Sequence, residues 1–339
     1  MRVTKDMLHP DLKSTYRLTM WLPTLFSLSW LVRLVNYLGR RFHKPKTIEG
    51  FHLEERLIPC SDGSGEFRVV IYRPQQAEND LPALLYLHGG GYIMGNPEQA
   101  VVLIARFLRQ RPCVVIAPDY RKAFSSPFPA GFDDCYDTLV WAKQHASELG
   151  IAGEKFMVAG HSAGGGLTAA VSLKARDTGE ADIAFQMPIY PMIDDTQPKD
   201  PARDIAAPVW NTKTNRIGWG AYLADIHSQK AAVPAYAAPA RGADNRGLPP
   251  TITFVGTLEP FYWETSDYVQ SLRDAGVEVA YREYEGCYHG FDFIGGKAAI
   301  SQQAIDFTYQ QFADFYDRFV AEEQPVSSAD GRAAAPDQE

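Results

Sequence analysis

A chain of 339 residues, 45% hydrophobic and 22% charged, has a soluble globular composition and is long enough to build a core without staples. A formal net charge of −8 sets nucleic acid aside as a partner. The four cysteines (Cys60, Cys113, Cys135, Cys287) form no CxxC and have no histidine at metal-ligand spacing, so no metal is expected, and reduced thiols point to a cytoplasmic protein.

The first fifty residues stand apart. They hold nine Lys or Arg against three acids, a net +6 that leaves −14 on the remainder. Leu18 to Val32 is the most apolar stretch and carries no charge. It is shorter than the roughly 20 apolar residues of a membrane span, and Pro23 and Arg33 interrupt it. No alanine precedes Ala77 and no glycine precedes Gly39, so no cleavage site for a secretory leader is visible. Two readings of residues 1–50 stay open. One is a cap segment whose apolar face, with Trp21, Phe26 and Trp30, covers a substrate pocket. The other is peripheral docking of residues 1–46 on an anionic membrane surface.

Residues 51–59 and 66–73 read as two strands joined by the turn Ser61–Gly65, with Phe67, Val69 and Ile71 alternating onto a buried face. The continuous apolar runs Ala83–Leu87, Cys113–Ala117 and Phe156–Ala159 read as strands covered on both faces. Helices are expected near 97–110, near 131–148 and from Ser162. Three further strands, Ile183–Tyr190, Thr251–Val255 and Val277–Tyr284, alternate with helices near 262–275 and 298–320. In the last helix Ile305, Phe312 and Phe319, with Phe315 beside them, make one apolar face. Repeated βα units predict an α/β fold with a mostly parallel sheet between helices. Residues 192–248, rich in Pro, Trp and Tyr, break the alternation. The expected organisation is a cap segment over 1–50, core over 51–191, a cap insertion over 192–248, core again over 249–322, and a disordered tail over 323–339.

Gly160-His161-Ser162-Ala163-Gly164 lies between a predicted strand and a predicted helix. A sharp turn there, with glycine on both sides, leaves the Ser162 hydroxyl exposed as a nucleophile. His88-Gly89-Gly90-Gly91 follows the strand 83–87. Consecutive glycines let N–H groups of this loop, together with that of Ala163, stabilise an oxyanion. No Gly-Lys-Ser/Thr follows, which argues against a phosphate loop. His88 precedes the serine and is read as shaping the loop. In the order that accompanies such a serine, acid and then base come later in the chain. His289, in Tyr288-His289-Gly290-Phe291 after the last strand, is the expected base. Glu259 is the only carboxylate in the loop after the strand 251–255 and is the expected acid. Asp194, Asp195 and Asp292 remain its rivals. Glu264 and Asp267 are expected one or two turns into the next helix, facing away. Trp210, Trp219, Tyr222 and Trp263 either line the pocket or belong to the core, with core the default reading.

These motifs, with Asp119-Tyr120-Arg121, Pro127–Ala130, Asp133-Asp134, Tyr190–Asp195, Tyr236–Pro239, Leu248-Pro249-Pro250 and His289–Asp292, resemble the hormone-sensitive-lipase-like esterases of the α/β-hydrolase superfamily. The likeness covers roughly residues 80 to 295. It implies an α/β-hydrolase fold with a central eight-stranded sheet and a helical cap. It also implies no cofactor, oxyanion donors at Gly90, Gly91 and Ala163, and hydrolysis of short- to medium-chain esters as small-molecule substrates. A homodimer through a sheet edge is frequent in the family. Two positions depart from its pattern: Glu259 stands for the usual aspartate, and His161 for the usual Asp or Thr. The alternatives are an amidase or arylformamidase on the same triad, or a non-catalytic receptor on the same scaffold.

Overall fold

The protein is described here by a computed structural model covering residues 1–77 and 81–321; the tail expected from 323 lies outside the described residues. Three short helices open the chain: α1 (Tyr16–Thr19), α2 (Leu22–Phe26) and α3 (Ser29–Arg41). The hairpin β1 (Phe51–Pro59) and β2 (Glu66–Pro74) follows, then β3 (Leu81–Leu87), α4 (Val101–Gln110), β4 (Val114–Pro118), α5 (Ala130–Gln144) and α6 (Ala146–Leu149). Next come β5 (Ile151–His161), α7 (Ala163–Thr178) and β6 (Asp182–Ile189). Helices α8 (Thr212–Tyr222) and α9 (Ala224–Ser228) precede β7 (Thr251–Gly256), α10 (Tyr262–Asp274) and β8 (Val279–Tyr284), and α11 (Phe291–Ile294) and α12 (Ala299–Phe319) end the fold.

The strands form one sheet in the order β1-β2-β4-β3-β5-β6-β7-β8. β2 runs antiparallel to both β1 and β4, and every pairing from β4 through β8 is parallel. This is the eight-stranded, mostly parallel sheet that the resemblance implies. Its two faces bury separate cores, because side chains alternate along a strand. On β3, Leu84 and Tyr86 join Phe107, Phe312 and Phe315 on one side. Leu85 and Leu87 join Phe132, Leu139 and Val171 on the other.

Two expected helices are interrupted. The segment 97–110 begins as a 3₁₀ turn at Pro97–Gln99, which the Asn96 side chain caps by accepting from the Gln99 N–H, and the α-helix starts only at Val101. The segment 131–148 breaks at His145, and α6 ends on Gly150 in the left-handed conformation that glycine adopts freely.

Residues 1–50 and the stretch after β6 meet beside the carboxyl ends of the parallel strands. The Val3 N–H donates to the Ala206 carbonyl at 3.0 Å and the Val209 N–H to the Thr19 carbonyl at 2.9 Å. The Asn36 amide on α3 donates to the Ile93 carbonyl at 2.7 Å, just past the glycine loop.

Candidate active site

Residues at the carboxyl ends of β3, β5, β6 and β8 line one pocket, the position at which open α/β sheets present their ligands, and the loop after β7 stands behind it through Glu259. Ser162 caps α7 with φ 60° and ψ −122°, a conformation that an ordinary side chain adopts only under strain of about 1–3 kcal/mol. The turn is tight enough to demand glycine on both sides. A Cβ on Gly160 would stand 2.3 Å from the Gly164 carbonyl oxygen, and one on Gly164 2.0 Å from that of Leu87.

A hydrogen-bonded chain runs from this serine. His289 Nε2 lies 2.9 Å from Ser162 Oγ, and His289 Nδ1 bonds to Glu259 Oε2. The other Glu259 oxygen accepts the Gly256 N–H at 3.0 Å, so both are engaged. All three side chains are buried. Burial strengthens each of these contacts, because little water remains to compete. The imidazole is also fixed by neighbours: the Tyr190 and Phe261 rings each stand edge-on to it, with centroids 4.9 Å away.

The rival carboxylates are occupied elsewhere. Asp194 accepts from Thr196 and Gln197, which hold its pKa below the usual aspartate value against the opposing effect of burial. Asp195 pairs with Arg241 through both oxygens. Asp292 accepts from the Tyr190 hydroxyl at 3.0 Å, and burial pushes its pKa up to about 6. Glu264, in the first turn of α10, is turned to the Ile193 and Asp194 N–H groups, from which it accepts, and away from His289; it is buried there, and burial drives its pKa well up.

Gly90, Gly91 and Ala163 surround the serine, with Gly90 and Gly91 lining the pocket itself. Among the described residues, none of their N–H groups donates to a protein acceptor. Gly90, at φ 126°, has the Met94 carbonyl oxygen 2.1 Å from where a Cβ would be, so only glycine fits that bend. His88 shapes the loop as expected: it stacks on Tyr120 at 4.2 Å and bonds to the Gly89 carbonyl. Burial brings its pKa down to about 3, so it is neutral at pH 7. His161 is likewise lowered to about 3 by burial, bonds Tyr86 at 2.9 Å and forms pocket floor beside Ser162.

The pocket encloses about 220 Å³ and is mainly apolar, with Phe26, Leu103, Val209, Trp210 and Phe293 among its walls. Of the N-terminal aromatics only Phe26 faces it. Trp21 and Trp30 stand 70% and 63% exposed, contrary to the expected covering face. The tryptophans divide too. Trp219 and Tyr222 pack around Tyr92 in the core, whereas Trp263 is partly exposed, with the Arg203 guanidinium 4.1 Å above its ring. Trp210 is buried against the glycine loop, its ring edge 2.3 Å from where a Gly91 Cβ would stand. Val209 beside it has φ 65°, an outlying conformation for a β-branched residue, in a turn closed by the Trp210 N–H and the Pro208 carbonyl at 2.7 Å.

The sequence did not reveal the Tyr190–Asp292 pair or Val209 in the pocket wall; Trp210, read as core by default, takes the other reading left open to it and lines the pocket. Tyr190 lies within Tyr190–Asp195, but no local pattern announces a partner 102 residues away.

A family model described as alpha/beta hydrolase fold matches residues 84–293. Carboxylesterase NlhH of Mycobacterium tuberculosis is 32% identical over 253 residues, which are 73% of this chain and 77% of that protein. An arylesterase of Saccharolobus solfataricus is 30% identical over 234 residues, 67% of this chain and 73% of its own. Among solved structures, a bacterial heroin esterase superposes with a TM-score of 0.83 at 30% identity, covering 92% of this chain and 99% of its own.

Proposed function

Since the chain belongs to the hormone-sensitive-lipase-like family of the α/β-hydrolase superfamily and is a carboxylic ester hydrolase, we propose that it cleaves esters of short- to medium-chain acids through an acyl-enzyme on Ser162. Ser162 Oγ attacks the ester carbonyl carbon while His289 Nε2 takes its proton. Glu259 holds the Nδ1 proton, fixes the tautomer and stabilises the imidazolium. The carbonyl oxygen, now anionic, accepts from the N–H groups of Gly90, Gly91 and Ala163. His289 then protonates the leaving alkoxide. A water, deprotonated by the same imidazole, attacks the acyl carbon and releases acid and free serine.

The observation that carries this reading is the buried hydrogen-bonded chain Ser162–His289–Glu259. The N–H groups of Gly90, Gly91 and Ala163, which have no protein acceptor among the described residues, support the oxyanion role. The pocket supports the size of the substrate. Its 220 Å³ fall below the roughly 300–1,000 Å³ of sites for drug-sized ligands, which suits a short acyl chain. The cap role of residues 1–50 and 192–248 is supported by Phe26, Val209 and Trp210 in the pocket wall. Four buried free thiols support a cytoplasmic setting. The same reading includes peripheral membrane contact through residues 1–46, supported by their exposed apolar side chains. No single helix among the described residues is long and apolar enough to cross a membrane.

Ser162→Ala tests the nucleophile. Turnover of p-nitrophenyl butyrate is expected to fall by roughly 10⁴-fold or more, and unchanged turnover would remove Ser162 from the mechanism. With the parent protein, kcat/KM is expected to be highest for acetate to hexanoate esters and to fall steeply by laurate. A rising trend to laurate would reject the short-chain assignment.

A further inference from the structure

The large apolar side chains that stand exposed are concentrated in one place. Among the described residues, all of them except Leu57, Val102, Trp263 and Phe293 lie within the first 42 residues. On α3 the usual arrangement is inverted. Val32 is buried, Asn36 bonds to Ile93, and Gly39 lies against Asn96, so this face meets the body. At about 100° per residue, Trp30, Leu34, Tyr37 and Leu38 lie on the opposite side, and all four are exposed. Leu18 and Trp21, 73% and 70% exposed, add to them on the preceding helix turns, a concentration of exposed apolar side chains of the kind that marks an interaction surface.

The charge around the patch selects its partner. From Leu12 to Ile48 the sequence has Lys13, Arg17, Arg33, Arg40, Arg41, Lys44 and Lys46 and no acid. None of these cations forms a salt bridge to a carboxylate among the described residues. A second copy meeting this patch about a twofold axis would bring cations against cations. A bilayer with anionic headgroups offers the opposite charge and takes up the apolar rings beneath it.

We propose that α1–α3 form an interfacial anchor for anionic lipid, lying in the plane of the bilayer surface with Leu18, Trp21, Trp30, Leu34 and Leu38 inserted. This rests on the reading of residues 1–46 as a contact with an anionic membrane, and adds the face that enters and the orientation it gives the pocket. The bend between the helices, 92° from Tyr16–Phe26 to Ser29–Arg41, suits a pair lying on a surface rather than crossing one. The anchor also sets the enzyme's orientation. Phe26 lines the pocket from α2, where Leu25 and, just beyond the helix, Leu28 face outward. The pocket therefore opens beside the lipid, and apolar esters dissolved there reach Ser162 with little passage through water.

The test uses the full chain with sucrose-loaded vesicles of phosphatidylcholine, with or without a third phosphatidylglycerol. Protein is expected to sediment with the anionic vesicles at low salt, and to bind neutral ones at least about tenfold more weakly. Arg17→Glu, Arg33→Glu and Arg41→Glu together, and separately Trp30→Ser with Leu34→Ser, are each expected to weaken anionic binding at least about tenfold. Unaltered p-nitrophenyl butyrate turnover in both variants shows that they are folded. Ser162→Ala is expected to bind vesicles like the parent, so that loss of turnover and loss of docking are read separately. Equal binding to both vesicle types would leave a membrane contact but overturn the anionic anchor. No binding to either would overturn the contact itself. A parent dimer in sedimentation equilibrium that Trp30→Ser with Leu34→Ser dissociates, with no vesicle binding, would assign the patch to a second copy.

Discussion

Ser162, Glu259 and His289 come from three loops spread over 128 positions and are each less than a tenth exposed, whereas residues 18–42 are contiguous and leave Trp21, Trp30 and Tyr37 mostly in water. In the first region every polar atom of the serine–histidine–glutamate chain has a partner inside the protein, fixed by strand ends and glycine turns. In the second, the apolar groups and cations have few internal partners. Mutation should separate the two: substitutions at the strand ends change chemistry, and substitutions on the N-terminal face change what the protein sits on.

After Ser162→Ala, the largest effect should come from the acid. Glu259→Gln keeps the shape but removes the charge that stabilises the imidazolium, and kcat is expected to fall by about 10³–10⁴. Asp195→Asn, which breaks only the pair with Arg241, should change kcat less than about twofold. If the ranking reverses in steady-state kinetics, the acid has been misassigned. Next comes the glycine loop. Gly91→Ala should cost about 10² in kcat, because its methyl group meets Trp210 and shifts a donor. Adding Trp210→Ala makes room, so the double variant should recover part of that loss; a strictly additive result would show that the ring does not fix the loop.

A smaller effect is expected at Asp292. Its folded pKa of about 6 lies above the ordinary 3.8, so the folded state favours the protonated form. That contribution is complete below pH 3.8 and is lost as pH rises through 6, leaving a buried carboxylate at alkaline pH. Asp292→Asn cannot ionise, and its oxygen can still accept from Tyr190. Relative to the parent it should gain stability between pH 5 and pH 8, by roughly 1–3 kcal/mol in urea titrations. An equal difference at both pH values would refute the titration. The smallest effect belongs to the N-terminal face. Trp30→Ser with Leu34→Ser should leave water-soluble ester turnover within about twofold and stability within about 0.5 kcal/mol per site. A large loss of either would mean that these side chains support the site after all.

Much of the sheet was legible because strands covered on both faces read as unbroken apolar runs, as in Ala83–Leu87. Their ends were less so: β5 extends from Ile151 to His161, well beyond Phe156–Ala159. Ser162 was legible because its turn is local and needs glycine at fixed offsets. Glu259 could be singled out as the one carboxylate in its loop, and the structure does bring it to His289. The Tyr190–Asp292 bond left no trace, since two residues far apart in sequence carry no shared spacing. The orientation of α3 was hidden for a different reason. An amphipathic pattern fixes which residues share a face, but not whether that face turns toward the body or toward solvent.

Val209 bears on how the chain can be shortened. A valine at φ 65° is held in a conformation that its own sequence disfavours, and its N–H is bonded to the carbonyl of Thr19. The wall carrying Trp210 is therefore propped from outside its own segment. Cutting the chain anywhere past Thr19 to improve handling would withdraw the prop, relax the turn and free the indole that packs on Gly91. The first twenty residues and the catalytic loops form a single mechanical unit, and a truncated enzyme would be a different catalyst rather than the same one with less surface.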